Sequence, residues 1–251
     1  MSMFSSKSLI AAAVLLFAGA SAQATVIPVG NSDFSTASNN GSIGGGLLNG
    51  NGSATIGSGP WTGTYTGALG VLAPPTLTIG SSAATISGVA GINVLGLVSN
   101  GGYFSQTLGT NYAANTTYTL TAEVTTTSPL SVSLMNDKNV GIALTSNGSD
   151  VASTSTGNSQ LISVNLLGGN TYQVTLNYTT GNTAPTGAIG IRLFDQPTGL
   201  TTANLVGSVS FDNVSLNATA VPEPASLGLL GIGLTTFGWA RLRGRRAANA
   251  A

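Results

Sequence analysis

The middle of this 251-residue sequence predicts an all-β body, and three observations carry that prediction. Short runs alternate apolar and polar residues with a period of two, they are rich in Thr, Val, Ile and Tyr, and turn residues separate them. No stretch between Thr25 and Ala220 sustains a helical period. The strand runs, in chain order, are TLTIG (76–80), GINVLGLV (91–98), GYFSQTLG (102–109), TYTLTAEVTT (117–126), LSVSLMN (130–136), VGIALT (140–145), QLISVNLL (160–167), TYQVTLNYTT (171–180), GAIGIRLF (187–194) and SVSFDNVSL (208–216).

Asn-Gly at Asn100 and at Asn147, Gly-Gly-Asn from Gly168 and Thr-Gly-Asn from Thr180 supply turns between them. About ten strands at this spacing predict an antiparallel sandwich of two sheets, in the manner of a jelly roll. A β-solenoid would need a fixed repeat, and no period aligns these runs. Upstream, the stretch 35–60 is dense in Gly, Ser and Asn and predicts a long loop or flexible insertion, with a short strand around Leu47 and Leu48. Trp61 and Tyr65 open the more structured region.

Charge narrows the function. Only 6% of residues are charged, far below the roughly 25% of ordinary soluble domains. Between Thr25 and Val221 the cations are Lys138 and Arg192, set against Asp33, Glu123, Asp137, Asp150, Asp195 and Asp212. The body is mildly acidic, which excludes a basic surface for nucleic-acid phosphates. Asp137 in MNDKN and Asp150 in SNGSD read as solvated loop charges. The absence of Cys and His excludes disulfides, thiol nucleophiles, the usual zinc sites and every His-based triad. No pair of carboxylates falls in a recognisable hydrolase motif, so the body is expected not to be an enzyme.

The two ends set the compartment. Residues 1–24 begin with a short segment carrying Lys7, continue through an apolar run from Leu9 to about Ala18, and close on Ala22-Gln23-Ala24, an A-x-A cleavage site. This is expected to be a signal helix whose removal leaves a mature chain from Thr25, exported from the cytoplasm. At the other end, residues 225–240 carry no charge and would form a helix of roughly 24 Å, marginal for a bilayer span. Pro222, Glu223 and Pro224 precede it, and Arg241, Arg243, Arg245 and Arg246 follow it, where the positive-inside rule would hold them in the cytoplasm. A permanent anchor would be a poor one, given the short span and its crowded glycines.

The order Val-Pro-Glu-Pro, apolar helix, arginine cluster over 221–246 resembles the PEP-CTERM sorting signal of Gram-negative bacteria that make exopolysaccharide. That resemblance implies a membrane-embedded exosortase as partner, transient inner-membrane anchoring, removal of the tail, and delivery to the cell surface or matrix.

A second resemblance covers the body, 25–220. VGNSDFS at its start, YFSQTLGTNYAANTTYTLTAEV in its middle and GSVSFDNVSL at its end are similar to landmarks of the galactose-binding-like jelly roll found in carbohydrate-binding modules. The resemblance implies a structural calcium between the first and last strands, at positions matching Asp33 and Asp212. Ser35 stands where such modules carry a glutamate ligand, and the alternative is that Asp33 and Asp212 each cap a turn. No other cofactor is implied. Sugar binding by ring stacking needs exposed aromatic faces beside polar groups, and Trp61, Tyr65 and Tyr112, set near Gly or Asn, are the candidates for exposure. The strand residues Tyr103, Tyr118 and Tyr172 suit the core. The expected function is a non-catalytic polysaccharide binder at the cell surface or in the exopolysaccharide matrix of a biofilm. The alternative is a structural matrix protein with no defined ligand.

Overall fold

The computed structural model describes residues 22–44, 51–66, 74–88, 90–92, 98–99, 101–126, 140–154, 160–168, 170–195, 204–205 and 208–221. Ala24–Thr219 is one compact unit; the other, Met1–Gln23 with Ala220–Ala251, lies almost wholly outside the described residues. The expected signal helix, the 225–240 helix, the sorting tripeptide, the arginine tail and the LSVSLMN run all fall outside them as well. No helix among the described residues is long and apolar enough to cross a membrane.

The strands run β1 (Ala24–Ile27), β2 (Gly41–Gly44), β3 (Gly52–Thr55), β4 (Thr62–Thr66), β5 (Thr76–Ile79), β6 (Ala84–Ser87), β7 (Ala90–Ile92), β8 (Val98–Ser99) and β9 (Gly101–Asn111). They continue with β10 (Thr116–Thr126), β11 (Val140–Ser146), β12 (Ser149–Ser153), β13 (Gln160–Gly168), β14 (Thr171–Thr179), β15 (Ala188–Asp195), β16 (Asn204–Leu205) and β17 (Ser208–Ala220). The chain is all-β in its described residues apart from a single 3-10 turn at Ala37–Asn39.

Two antiparallel sheets form the body. One runs β13-β14-β10-β17-β6-β5-β2, with β1 also paired to β17; the other runs β12-β11-β15-β9-β4-β3. A small third sheet joins β16, β7 and β8. β10 and β14 face β11, while β5 and β6 face β9, so the two large sheets close on one core.

Period-two alternation builds that core. On β10, Tyr118, Leu120, Ala122 and Val124 are buried, and Thr117, Thr119, Thr121 and Glu123 between them point outward. Leu77, Ile86, Leu176 and Phe211 from the larger sheet meet Phe104, Ile142, Leu144 and Ile191 from the smaller, all without solvent exposure. The β11–β12 hairpin turns on Asn147 and Gly148 at φ 50° and 79°, the pair of left-handed residues that a tight turn between twisted strands requires.

The Gly/Ser/Asn-rich stretch departs from expectation. Instead of an unbroken loop it supplies the 3-10 turn and the edge strands β2 and β3; Leu47 and Leu48 lie outside the described residues. Backbone pairing to β5 and β4 stabilises these strands, while Ile43 of β2 packs against the core and Ile56, just after β3, is part of it. Composition weighs side chains, and here the order comes from backbone hydrogen bonds.

Candidate functional site

Four places in the body combine polar chemistry with a defined geometry. The first is the junction of the opening and closing segments. β17 pairs with β6 through Ser208–Phe211 and with β1 through Leu216–Thr219. At the gap between those pairings the loop after β1 comes in, and Val214 N donates to Ser32 O at 2.9 Å. Asp212 and Asn213 both fall between the buried Phe211 and Val214, so β17 bulges here, with Asn213 at φ 49°. The incoming loop holds Asn31 and Phe34 at φ 48° and 52°. A left-handed phenylalanine is costly, on the order of 1–3 kcal/mol, and the fully buried Phe34 ring, 5.5 Å from Trp61, offsets it.

Asp33 and Asp212 are brought together at this junction. Ser35 N and Oγ donate to Asp33 Oδ1 at 3.2 and 2.9 Å, which holds that exposed carboxyl below its usual range. Partial burial pushes Asp212 up, opposed by the Asn213 N–H at 2.7 Å and reinforced by the charges of Glu123 and Asp33. Each carboxylate thus caps its own backbone, and a hard cation would have the remaining oxygens to bind. Among the described residues no group of three or more His, Cys, Asp or Glu could hold a metal ion.

The second place holds the aromatic candidates, and it corrects their expected exposure. Trp61 is fully buried, and its Nε1 donates to Gly30 O at 3.1 Å and to Asn31 O at 3.3 Å. Gln106 holds the same loop with both ends of its amide: Gly30 N donates to Oε1 and Nε2 donates to Gly30 O, each at 2.8 Å. Tyr112 is buried, donates to Thr145 O at 3.0 Å and packs edge-on against Tyr118 and Tyr178. Burial raises its phenol far above the usual value. Tyr65 is half-buried with its ring over Gly52, where any β-carbon would collide with it. All three fill space inside the sandwich, because Gly neighbours leave room for rings to fold inward as readily as outward.

The third place lies on the outward side of the six-stranded sheet. Arg192, midway along β15, forms an ion pair with Asp150 of β12, and its guanidinium carbon lies 5.3 Å from the centroids of both the Tyr103 and Phe194 rings. About four fifths of each charged side chain is covered, at 21% and 19% exposed. Asp150 is therefore no solvated loop charge, and Tyr103 lies on the outward side, not in the main core. Burial raises the Asp150 carboxyl and outweighs the opposing pull of Arg192. Among the described residues, Asp150 Oδ1, Arg192 Nε and the neighbouring Thr154 Oγ1 are buried and have no hydrogen-bond partner. The signal in the sequence was a single cation inside the apolar run GAIGIRLF.

The fourth is Asp195, at the end of β15 on the same side of the strand as Ile189, Ile191 and Leu193. It is 7% exposed, and burial pushes its carboxyl up to about 7. A strand terminus read from sequence gives no warning of this, because cover by other strands decides it.

Comparison with known families adds two findings. A family model described as HpiC1 cyclase, HpiC1-like, matches residues 25–217, and one described as the PEP-CTERM protein-sorting motif matches residues 220–246. No curated protein matches the chain.

Proposed function

The chain belongs to the HpiC1-like family and carries a PEP-CTERM sorting motif at its end, and from that premise we propose that its β-sandwich body, displayed at the cell surface, binds a neutral carbohydrate without transforming it. The motif implies export and exosortase sorting. The observation that carries the binding reading is the body's shortage of charge. Of the two cations between Thr25 and Val221, Arg192 is neutralised by Asp150 under two aromatic rings. An anionic polymer, a nucleic acid or an acidic membrane therefore meets little to attract it, whereas a neutral polyhydroxyl ligand suits a surface of Ser, Thr and Asn. Two antiparallel sheets closed on one core and a motif for export accord with this reading.

Native gels cast with a neutral β-glucan, a neutral galactomannan or alginate test it. Retardation of the body in at least one neutral gel and none in alginate is the expected result. Free migration in every neutral gel would leave only a structural matrix role. Export has its own measurement: mass spectrometry of protein recovered outside the cell is expected to show a chain that starts at Thr25 and lacks Arg241–Arg246. A C-terminus that still includes Arg246 would argue against removal of the tail.

A second reading attaches to Asp195. The matching family model is described as a cyclase, and a cyclisation started by proton transfer needs an acid that keeps its proton near neutral pH in a dry setting. Asp195, buried at the end of β15 and pushed up to about 7, holds its proton closer to neutral pH than an ordinary aspartate does. Under this reading Asp195 supplies the proton, and Asp195→Asn abolishes turnover while leaving glycan retardation unchanged.

A further inference from the structure

On the outward side of the eight-stranded sheet, the described side chains of β10, β14, β17 and β6 present an array of hydroxyl and amide groups, with the exposed Val26 of β1 at its margin opposite Asn217. Its side chains hydrogen-bond to one another across the strands: Thr117 with Thr179 at 2.9 Å and Thr119 Oγ1 to Asn177 Oδ1 at 2.7 Å between β10 and β14, Thr121 with Ser215 at 2.6 Å between β10 and β17, and Thr85 with Ser210 at 2.8 Å between β6 and β17. Side-chain to side-chain bonds are a minority of protein hydrogen bonds, about 10–15%, so a row of them on one face marks an ordered surface. Strand geometry spaces the groups by about 4.8 Å across strands and about 6.7 Å along them.

Each pairing fixes two rotors and still leaves bonding capacity. In a hydroxyl pair only one O–H is used, so the second remains free to donate while both oxygens keep acceptor sites. The β-branched threonines are also stiff at χ1, so little side-chain entropy is left to lose on binding. The face is therefore pre-organised, with donors and acceptors interleaved.

What such a face can recognise follows from its chemistry. Among the described residues its charges are Glu123 and Asp212, both negative, so it has nothing to neutralise phosphate, sulfate or uronate. The outward positions of β10 and β14 carry Thr, Glu, Gln and Asn and no aromatic residue, Met or Arg, the groups that anchor protein partners. They likewise offer no apolar surface to a lipid. A partner that is uncharged, extended and lined with hydroxyls answers both the charge and the bonding pattern.

We propose that this face, centred on β10, β14 and β17, is the docking surface for a neutral polysaccharide chain, which lies across the strands and exchanges hydrogen bonds with the threonine ladder. This rests on the carbohydrate reading above and gives it a location. It differs from a site built on Trp61, Tyr65 and Tyr112, whose rings are turned inward.

The test uses the full body in native gels containing the neutral β-glucan and galactomannan. The triple variant Thr117→Val, Thr119→Val and Thr121→Val keeps side-chain shape and strand preference while removing the hydroxyls. Thr119→Lys, which raises a long charged side chain from the middle of the face, serves as an independent second variant. Thr62→Val with Thr64→Val on the other sheet is the control, and circular dichroism and melting check that each variant is folded. The expected result is at least a tenfold loss of affinity in both face variants and none in the control. If wild-type and face variants are retarded equally, this location is wrong while carbohydrate binding stands. If the wild type is not retarded at all, both fall. A wild-type dimer in sedimentation that the triple variant dissociates would instead assign the face to a second copy of the chain and overturn the proposal.

Discussion

Trp61→Ala is expected to unfold the junction of the opening and closing segments, costing about 3–5 kcal/mol. A 150–250-residue body loses about 2–4 °C per kcal/mol, so the melting temperature should fall by about 6–20 °C. Three contacts are lost together. The indole leaves a cavity in a site with no solvent exposure, Phe34 loses the ring that offsets its left-handed backbone, and the carbonyls of Gly30 and Asn31 lose a donor. Trp61→Phe separates these effects in part: it keeps an aromatic ring beside Phe34 but removes the N–H and leaves a smaller cavity, so it should cost less, about 1–3 kcal/mol. Urea melts of the purified body measure both. An unchanged melt for Trp61→Ala would mean that the indole is not part of the core. The same variant is a poor probe of sugar binding, since any loss of affinity would be confounded with loss of the fold.

Asp195→Asn is expected to have the opposite effect, confined to one side of neutrality. In the unfolded chain this carboxyl titrates near the ordinary aspartate value of 3.8, and in the folded body near 7. The folded state therefore binds the proton more tightly, so this residue's contribution to stability is fully present below about pH 4 and is lost as pH rises through about 7. At 1.36 kcal/mol per unit, the cost of ionising it inside the body is on the order of 4 kcal/mol. The wild type should melt several degrees lower at pH 8.5 than at pH 5. Asparagine, which has nearly the same shape and no charge to bury, should remove most of that difference and raise stability on the alkaline side. Equal pH dependence in the two proteins would show that Asp195 ionises freely.

The strand content was legible because period-two alternation is local. β5, β9, β10, β11, β13, β14, β15 and β17 coincide with runs visible in the sequence, and the Asn147-Gly148 turn adopts the left-handed geometry its residues favour. The edge strands β2 and β3 were illegible, since Gly, Ser and Asn carry no alternation and backbone pairing, helped by Ile43 and Ile56, orders them. β12 was hidden for a related reason: Ser149–Ser153 looks like a polar loop, yet it pairs with β11 and delivers Asp150 to Arg192.

The candidate sites were harder to read than the strands. Trp61 sits in SGPWTG, a context that reads as loop, and its burial depends on Gly30, Asn31 and Phe34, about thirty positions earlier. Arg192 and Asp150 are 42 residues apart and become partners because β11 lies between their strands. The approach of Asp33 to Asp212 was expected from a resemblance, while the serine and backbone bonds that occupy them appear only in the folded chain.

By itself, the sequence determined the class of the body and its destination. Alternation and turn chemistry act over a few residues, and the tripartite tail is a contiguous signal; both are therefore written in order along the chain. Only the tertiary structure decided which aromatic rings are buried, which carboxyls keep their protons, and which threonines share one face. Those properties depend on the dielectric surroundings and neighbours that strands distant in sequence bring to a residue, and no local pattern encodes them.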